Sequence, residues 1–363
     1  MPFTKKPKDG IGVRTLTGRE LNRAALARQL LLDRAEMPLT EALQQIGGIQ
    51  TQYAPSGYVG LWTRLRDFRR DALTDALVDR SAVQATLLRA TIHVVARSDF
   101  WPCSIAIREA RRTWALRLRP ELGEAAMIAA AESLRRALAD GPKSVKELGG
   151  LADGFLGHYG VWVDTVRVPP SGTWERRRAD RLALAEQWMG PPPRSHTGTD
   201  PVELDEALAH IVRAYLRAFG PARWADIASW AGIPVGSARR GGAGLTLEHY
   251  RDESGRELVD LPGAPLPDAG TPAPVRFLPH WDALLLVHAR RTGVLPEEVR
   301  PRVFSSRNPF SVGTYLVDGR VAGAWTVREG RVVLDPVTPL ADLSPADRAA
   351  VEAEREALEA FHA

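Results

Sequence analysis

Apolar residues recur at helical intervals through Leu21, Ala24, Ala27 and Leu31, and Thr17 with Glu20 just before them has the spacing of a capping box, so a helix is predicted after Thr17. A second is predicted near Thr40, ending around Gly47–Gly48. From Pro55 onward, Tyr58, Leu61, Trp62 and Leu65 keep helical spacing and predict a third; Leu73–Val78 predicts another. The pattern then changes. Ala82–Leu88 and Ala90–Ala96 are rich in residues that favour strands. Helices followed by a β-hairpin is the order of a winged helix.

The same order recurs. Gly141-Pro142-Lys143-Ser144-Val145-Lys146-Glu147-Leu148 and Gly220-Pro221-Ala222-Arg223-Trp224-Ala225-Asp226-Ile227 share a Gly-Pro start and an acidic residue before an aliphatic one, and each reads as the start of a short helix-turn-helix. The first copy continues to Val161–Val168 and the turn Pro169-Pro170-Ser171-Gly172. The second continues through the glycine-rich Gly241–Gly244, read as a flexible wing tip, toward Glu257–Leu261. Pro191–Pro193 with Arg194–Asp200, and Pro262–Pro274, read as linkers. Beyond them, Asp318-Gly319 between Tyr315–Val317 and Val321–Trp325 predicts a hairpin, Glu329-Gly330 invites a second turn before Val332–Leu334, and a charged helix closes the chain from about Pro345 to Phe361.

Length changes this picture into one of several units: 363 residues exceed the usual ~100–200 of one domain. The predicted fold is mainly α with β-hairpin wings. Its divisions are a flexible basic tail over 1–14, winged-helix units over 15–110, 111–200 and 201–265, and a β-containing segment with a closing helix over 266–363. Charge adds little: the net is +4, but 43 of the 48 basic residues are arginine, whose planar fork suits phosphate contacts. That bias permits nucleic acid without proving it. No apolar run approaches the ~20 residues of a membrane span, and the first stretch, Met1 to Val13, lacks the apolar segment of a secretory signal, so a cytoplasmic protein is expected. Cys103 is the single cysteine, which excludes an internal disulfide and a multi-cysteine zinc site. No metal or cofactor is called for, and no phosphate loop or nucleophile elbow is present.

The most informative stretch is Ile49-Gln50-Thr51-Gln52-Tyr53-Ala54-Pro55. Alternate residues of an extended segment point the same way, so Gln50 and Gln52 are placed to present two amides to one ligand, or else cap a turn at the surface. An amide offers an acceptor and two donors without net charge, but is a poor general base. His93, in the presumed first wing, is a candidate contact to a sugar or phosphate, or a structural histidine. Arg89 is a phosphate contact or a solvated charge. Arg176, Arg177 and Arg178 form a basic cluster, read as a phosphate-facing patch or a solvated helix face. Asp282 after Trp281 is read as a turn or helix cap ahead of a water-activating carboxylate.

The strings Gln50-Thr51-Gln52, Gly60-Leu61-Trp62-Thr63-Arg64-Leu65 and Leu88-Arg89-Ala90-Thr91-Ile92-His93-Val94-Val95, with Val168-Pro169-Pro170-Ser171-Gly172-Thr173-Trp174, Leu278-Pro279-His280-Trp281-Asp282 and Val317-Asp318-Gly319-Arg320-Val321, resemble the AlkZ/YcaQ family of winged-helix DNA glycosylases over nearly the whole chain. The resemblance implies three tandem winged-helix units in a C-shaped arrangement around duplex DNA. It also implies a catalytic Gln-aliphatic-Gln motif, matched by Gln50 and Gln52 in the AlkZ-type form, with Thr51 departing from a plain aliphatic. Double-stranded DNA carrying alkylated purines is then the expected partner, the protein acting as a monomer without metal or cofactor. A purine alkylated at N7 is already cationic and leaves as a neutral base, so two neutral amides suffice to stabilise the sugar and place a water. A non-catalytic winged-helix regulator is the competing expectation; it has no evident need for the two glutamines.

Overall fold

The computed structural model describes residues 13–153, 159–192, 203–286, 293–304, 311–337 and 339–363. The tail before Val13 and the linker Arg194–Asp200 lie outside the described residues. A short strand β1 (Thr15–Leu16) leads into α1 (Gly18–Arg28), which opens on the anticipated capping box: the Glu20 amide donates to Thr17 Oγ1, and the Thr17 amide donates to the Glu20 carboxylate. Helix α2 (Leu39–Ile46) ends at Gly47, whose φ of +76° no side-chain-bearing residue adopts readily. There follow β2 (Ile49–Gln50), α3 (Pro55–Trp62), α4 (Arg70–Val78) and the hairpin β3 (Ala82–Thr86) and β4 (Ile92–Ala96). In space these strands lie in the order β2-β4-β3.

After the long α5 (Arg97–Leu118), the order repeats as α6 (Gly123–Ala137), β5 (Lys143–Ser144), α7 (Val145–Leu148), α8 (Gly150–Asp153), β6 (Thr165–Arg167) and β7 (Arg181–Leu184), with the strands again arranged β5-β7-β6. Beyond α9 (Ala185–Met189) it recurs once more as α10 (Leu204–Phe219), α11 (Trp224–Ala231), α12 (Val235–Gly242) and the hairpin β8 (Glu248–Asp252) and β9 (Glu257–Asp260). Here Ala222, bridged to Val259, takes the place of the short first strand. Helix, short strand, two helices and hairpin therefore occur three times with one topology. Pairing of Gln84 with Arg167 fuses the first two sets into a six-stranded antiparallel-paired sheet, with β2 at one edge and β5 at the other.

The glycine-rich Gly241–Gly244 is not a wing tip. Gly241 and Gly242 end α12 in buried positions, where a Cβ on Gly241 would lie 2.5 Å from the Leu208 carbonyl and one on Gly242 would lie 2.2 Å from the Trp224 ring. Those glycines let α12 close onto α10 and α11, and the hairpin turn lies further on between β8 and β9.

The remaining chain adds β10 (Arg276–Leu278), α13 (Ala283–Leu286), α14 (Arg300–Val303), β11 (Gly313–Val317), β12 (Arg320–Arg328), β13 (Arg331–Pro336) and α15 (Pro345–His362). Strands β10 to β13 form an antiparallel meander. Its two tight turns place Asp318-Gly319 and Glu329-Gly330 at positive φ, as their sequences predict. Ion pairs tie the amino-terminal helices to later segments. Arg28 on α1 holds the Asp260 carboxylate of β9 through two bonds of 2.6 and 2.7 Å, and Arg23 reaches Asp318. Arg64, just past α3, holds Asp282 at 3.0 Å, while Asp282 also accepts from the Leu284 amide at 3.0 Å; it caps α13, as read from the sequence. Among the described residues no helix is long and apolar enough to cross a membrane.

Candidate active site

Gly47 and Gly48, both at positive φ, reverse the chain between α2 and β2. A Cβ on Gly48 would meet Val95 at 2.8 Å, so only glycine lets β2 approach the β4 edge here. Pairing aligns Ile49 with Val94 and Gln50 with His93, and the Thr51 amide extends it by donating to the Ile92 carbonyl at 2.7 Å. The backbone then turns at Tyr53–Ala54 into α3, with Pro55 in its first turn.

This short strand holds the two glutamines in different surroundings. Gln50 is 5% exposed, and its Oε1 accepts from Arg89 Nη2 at 3.1 Å. Arg89 sits between β3 and β4 with φ +52°, and its Nη1 donates to the Trp230 carbonyl of α11 at 2.6 Å, so one guanidinium links the first hairpin, the motif and the third set of helices. Burial lowers the Arg89 pKa to about 10, leaving it charged at neutral pH. Gln52 is exposed; its Oε1 accepts from the Ile92 amide at 2.8 Å. Thr51 between them is 2% exposed and accepts from the Gln84 side-chain amide at 3.1 Å. Its hydroxyl therefore has a buried partner that a plain aliphatic would leave unsatisfied. Each glutamine keeps its Nε2 donors and one oxygen lone pair without a partner among the described residues.

His93 lies beside Gln50, 3% exposed, with Nδ1 3.0 Å from the Thr91 carbonyl. Burial, and then the Arg89 charge, lower its pKa to about 3, so the ring is neutral. It stands within the sheet, on the strand next to the motif. Arg176, Arg177 and Arg178 are exposed and lie at the end of a bend and in the irregular chain that follows it, not on a helix. Arg177 alone of the three joins the motif: Nη1 donates to the Tyr53 hydroxyl at 3.0 Å, and the guanidinium lies 5.8 Å from the Tyr53 ring and 5.7 Å from that of Trp174. Arg178 pairs with Asp180 at 3.2 Å.

Two cavities flank the motif. One, of about 130 Å³, is lined by Gln52 together with Arg111 of α5 and Arg167 of β6, which the sequence reading missed. Arg111 donates to the Thr86 carbonyl at 3.0 Å and Arg167 to the Thr86 hydroxyl at 2.8 Å. The carboxylate in this lining, Asp164, is engaged by Arg108 at 2.9 Å and by Ser104. Burial lowers the pKa of Arg111 and Arg167 to about 10 each, and both remain cationic. The available signal was Arg108, Arg111 and Arg112 at helical i, i+3 and i+4 spacing, one face of α5. The second cavity, of about 430 Å³, begins at Tyr53 and is walled by Ser56, Arg177, His280, Trp325 and His362. Among the described residues, no group of three or more His, Cys, Asp or Glu side chains is arranged to hold a metal ion.

The motif thus sets two oriented, uncharged amides at a sheet edge, with the buried, cationic Arg89 bonded to one and Arg111 and Arg167 lining the cavity beside the other. The class is given by the family model for AlkZ-like DNA glycosylases, which matches residues 43–361: the chain belongs to that family, whose members are hydrolases acting on DNA. Among solved structures, the fold is similar to that of Streptomyces sahachiroi DNA glycosylase AlkZ, with a TM-score of 0.76 and 20% identity, covering 96% of this chain and 97% of the other. No curated protein matches by sequence.

Proposed function

We propose that this glycosylase acts as a monomer on double-stranded DNA and hydrolyses the N-glycosidic bond of N7-alkylated purines, bulky adducts and interstrand crosslinks included, in repair or in self-protection against a DNA-alkylating natural product. The observation that carries this reading is the pairing of Gln50 and Gln52 with fixed donors, Arg89 and the Ile92 amide, which orients two neutral amides without an ionisable side chain in the pair. In this account Gln52, the exposed amide, holds the attacking water, while Gln50, oriented by Arg89, faces the electron-poor sugar. The water oxygen bonds to C1′ as the bond to N9 breaks, the electron pair leaves with a base that becomes neutral, and the water's proton passes to solvent. No general acid is required because the leaving group is already cationic.

The enzyme is monofunctional in this reading. Among the described residues the lysine amines, those of Lys143 and Lys146, lie on β5 and α7, with β5 at the sheet edge opposite β2. The segments 15–110, 111–200 and 201–265 are each a winged-helix unit, supported by the threefold recurrence of one helix and strand order. Arg89, Arg111, Arg167 and Arg177 supply the positive field for the backbone, and His93, the cross-strand neighbour of Gln50, flanks it. The test is to incubate the protein with duplex DNA containing 7-methylguanine, assay the free base by chromatography, and cleave abasic sites with alkali. Free 7-methylguanine and strand breaks are expected, with no borohydride-trapped adduct. Intact strands at saturating protein would favour a non-catalytic DNA-binding regulator instead.

A further inference from the structure

The 430 Å³ cavity takes no part in the hydrolysis just described, yet it starts one residue beyond Gln52. Its rings form a continuous wall: Tyr53 meets His280 edge-on with centroids 5.5 Å apart, His280 meets Trp325 at 5.9 Å, and Trp325 meets His362 at 6.1 Å. Burial lowers the pKa of both histidines to about 4, so this wall is uncharged at neutral pH. Two polar atoms of the lining residues, Ser56 Oγ and His362 Nε2, are buried without a partner. These atoms are closed off from the cavity surface, which the rings dominate.

We propose that this cavity binds an uncharged aromatic ring carried by the alkyl substituent of the purine adduct. The inference rests on the glycosylase reading and names its substrate class. Edge-on rings with centroids 5–6 Å apart offer the geometry in which another aromatic ring packs well. The volume lies within the ~300–1,000 Å³ of small-molecule pockets, far more than a methyl group occupies. The substituent is preferred over the alkylated purine itself because the Arg177 guanidinium lines the cavity and disfavours a cationic base.

The test compares binding of duplexes carrying N7-benzylguanine or N7-methylguanine on a 2′-fluoroarabinose that slows base loss, measured by fluorescence anisotropy. The benzyl duplex is expected to bind roughly tenfold tighter or more, the order of effect for burying one phenyl ring. Thr326→Trp, which fills the cavity, should remove that preference and leave the methyl duplex unchanged; if this variant melts early, Val327→Phe at a 39% exposed position carries the same measurement. Equal affinity of the unaltered protein for both duplexes overturns the proposal, as does a preference that survives both substitutions, or an equal loss for both duplexes. Tighter benzyl binding without base release from ordinary-sugar duplexes would remove the glycosylase reading and leave the ring site standing. Base release with equal affinities would remove the ring site alone.

Discussion

Gln50 and Gln52 stand one residue apart and meet opposite surroundings, and the difference separates stability from activity. Gln52→Ala removes an exposed amide, so the melting temperature should hold while single-turnover excision falls roughly 10²–10³-fold, the usual effect of losing a fixed polar group at a reacting centre. Gln50→Ala also strands Arg89 Nη2, and a lower melting temperature, corresponding to about 1–3 kcal/mol, should accompany the lost activity. Thermal melts beside excision assays separate the two effects. His93 supplies a pH dependence. Its folded pKa of about 3 lies below the ~6.5 of an unfolded histidine, so its contribution to stability is complete above about pH 6.5 and is lost as pH falls toward 3. Melts between pH 7 and 4 should show this decline, and His93→Gln should flatten it; an unchanged slope would exclude His93 as a cause. The alternation of the glutamines was legible in sequence. Their partners were not, because Arg89 reaches Gln50 only through a hairpin tip placed by tertiary packing.

At the scale of elements, several features left clear marks: the Thr17–Glu20 box of α1, the Gly-Pro starts of the second and third sets, and the Asp318-Gly319 and Glu329-Gly330 turns of the meander. Those signals are local, set by capping and by positive φ. The Gly241–Gly244 reading failed because the same residue serves two purposes. Glycine favours loops, but at Gly241 it removes a Cβ from the path of Leu208. Gly241→Ala should therefore destabilise the protein by roughly 1–3 kcal/mol through overpacking, seen as a lower melting temperature, whereas Gly244→Ala, with open space around it, should have little effect. The fusion of the first two sheets at Gln84 and Arg167 was also invisible, since one long-range pairing needs no periodicity of its own.

For the whole molecule, the ion pairs Arg28–Asp260 and Arg64–Asp282 join α1 and α3 to segments more than two hundred residues away. Arg28→Met would leave Asp260 buried and uncompensated, and a loss of roughly 3–5 kcal/mol is expected in denaturant unfolding. The register of β2 is set separately, by its pairing with β4, and Arg89 is tied to α11 by its own bond to the Trp230 carbonyl. The most direct test of the account is single-turnover release of 7-methylguanine from duplex DNA by the protein and by its Gln50→Ala/Gln52→Ala variant, run below the melting temperature of both. The account predicts base release by the protein and a rate at the spontaneous depurination level for the variant. Equal release by the two folded proteins would contradict it.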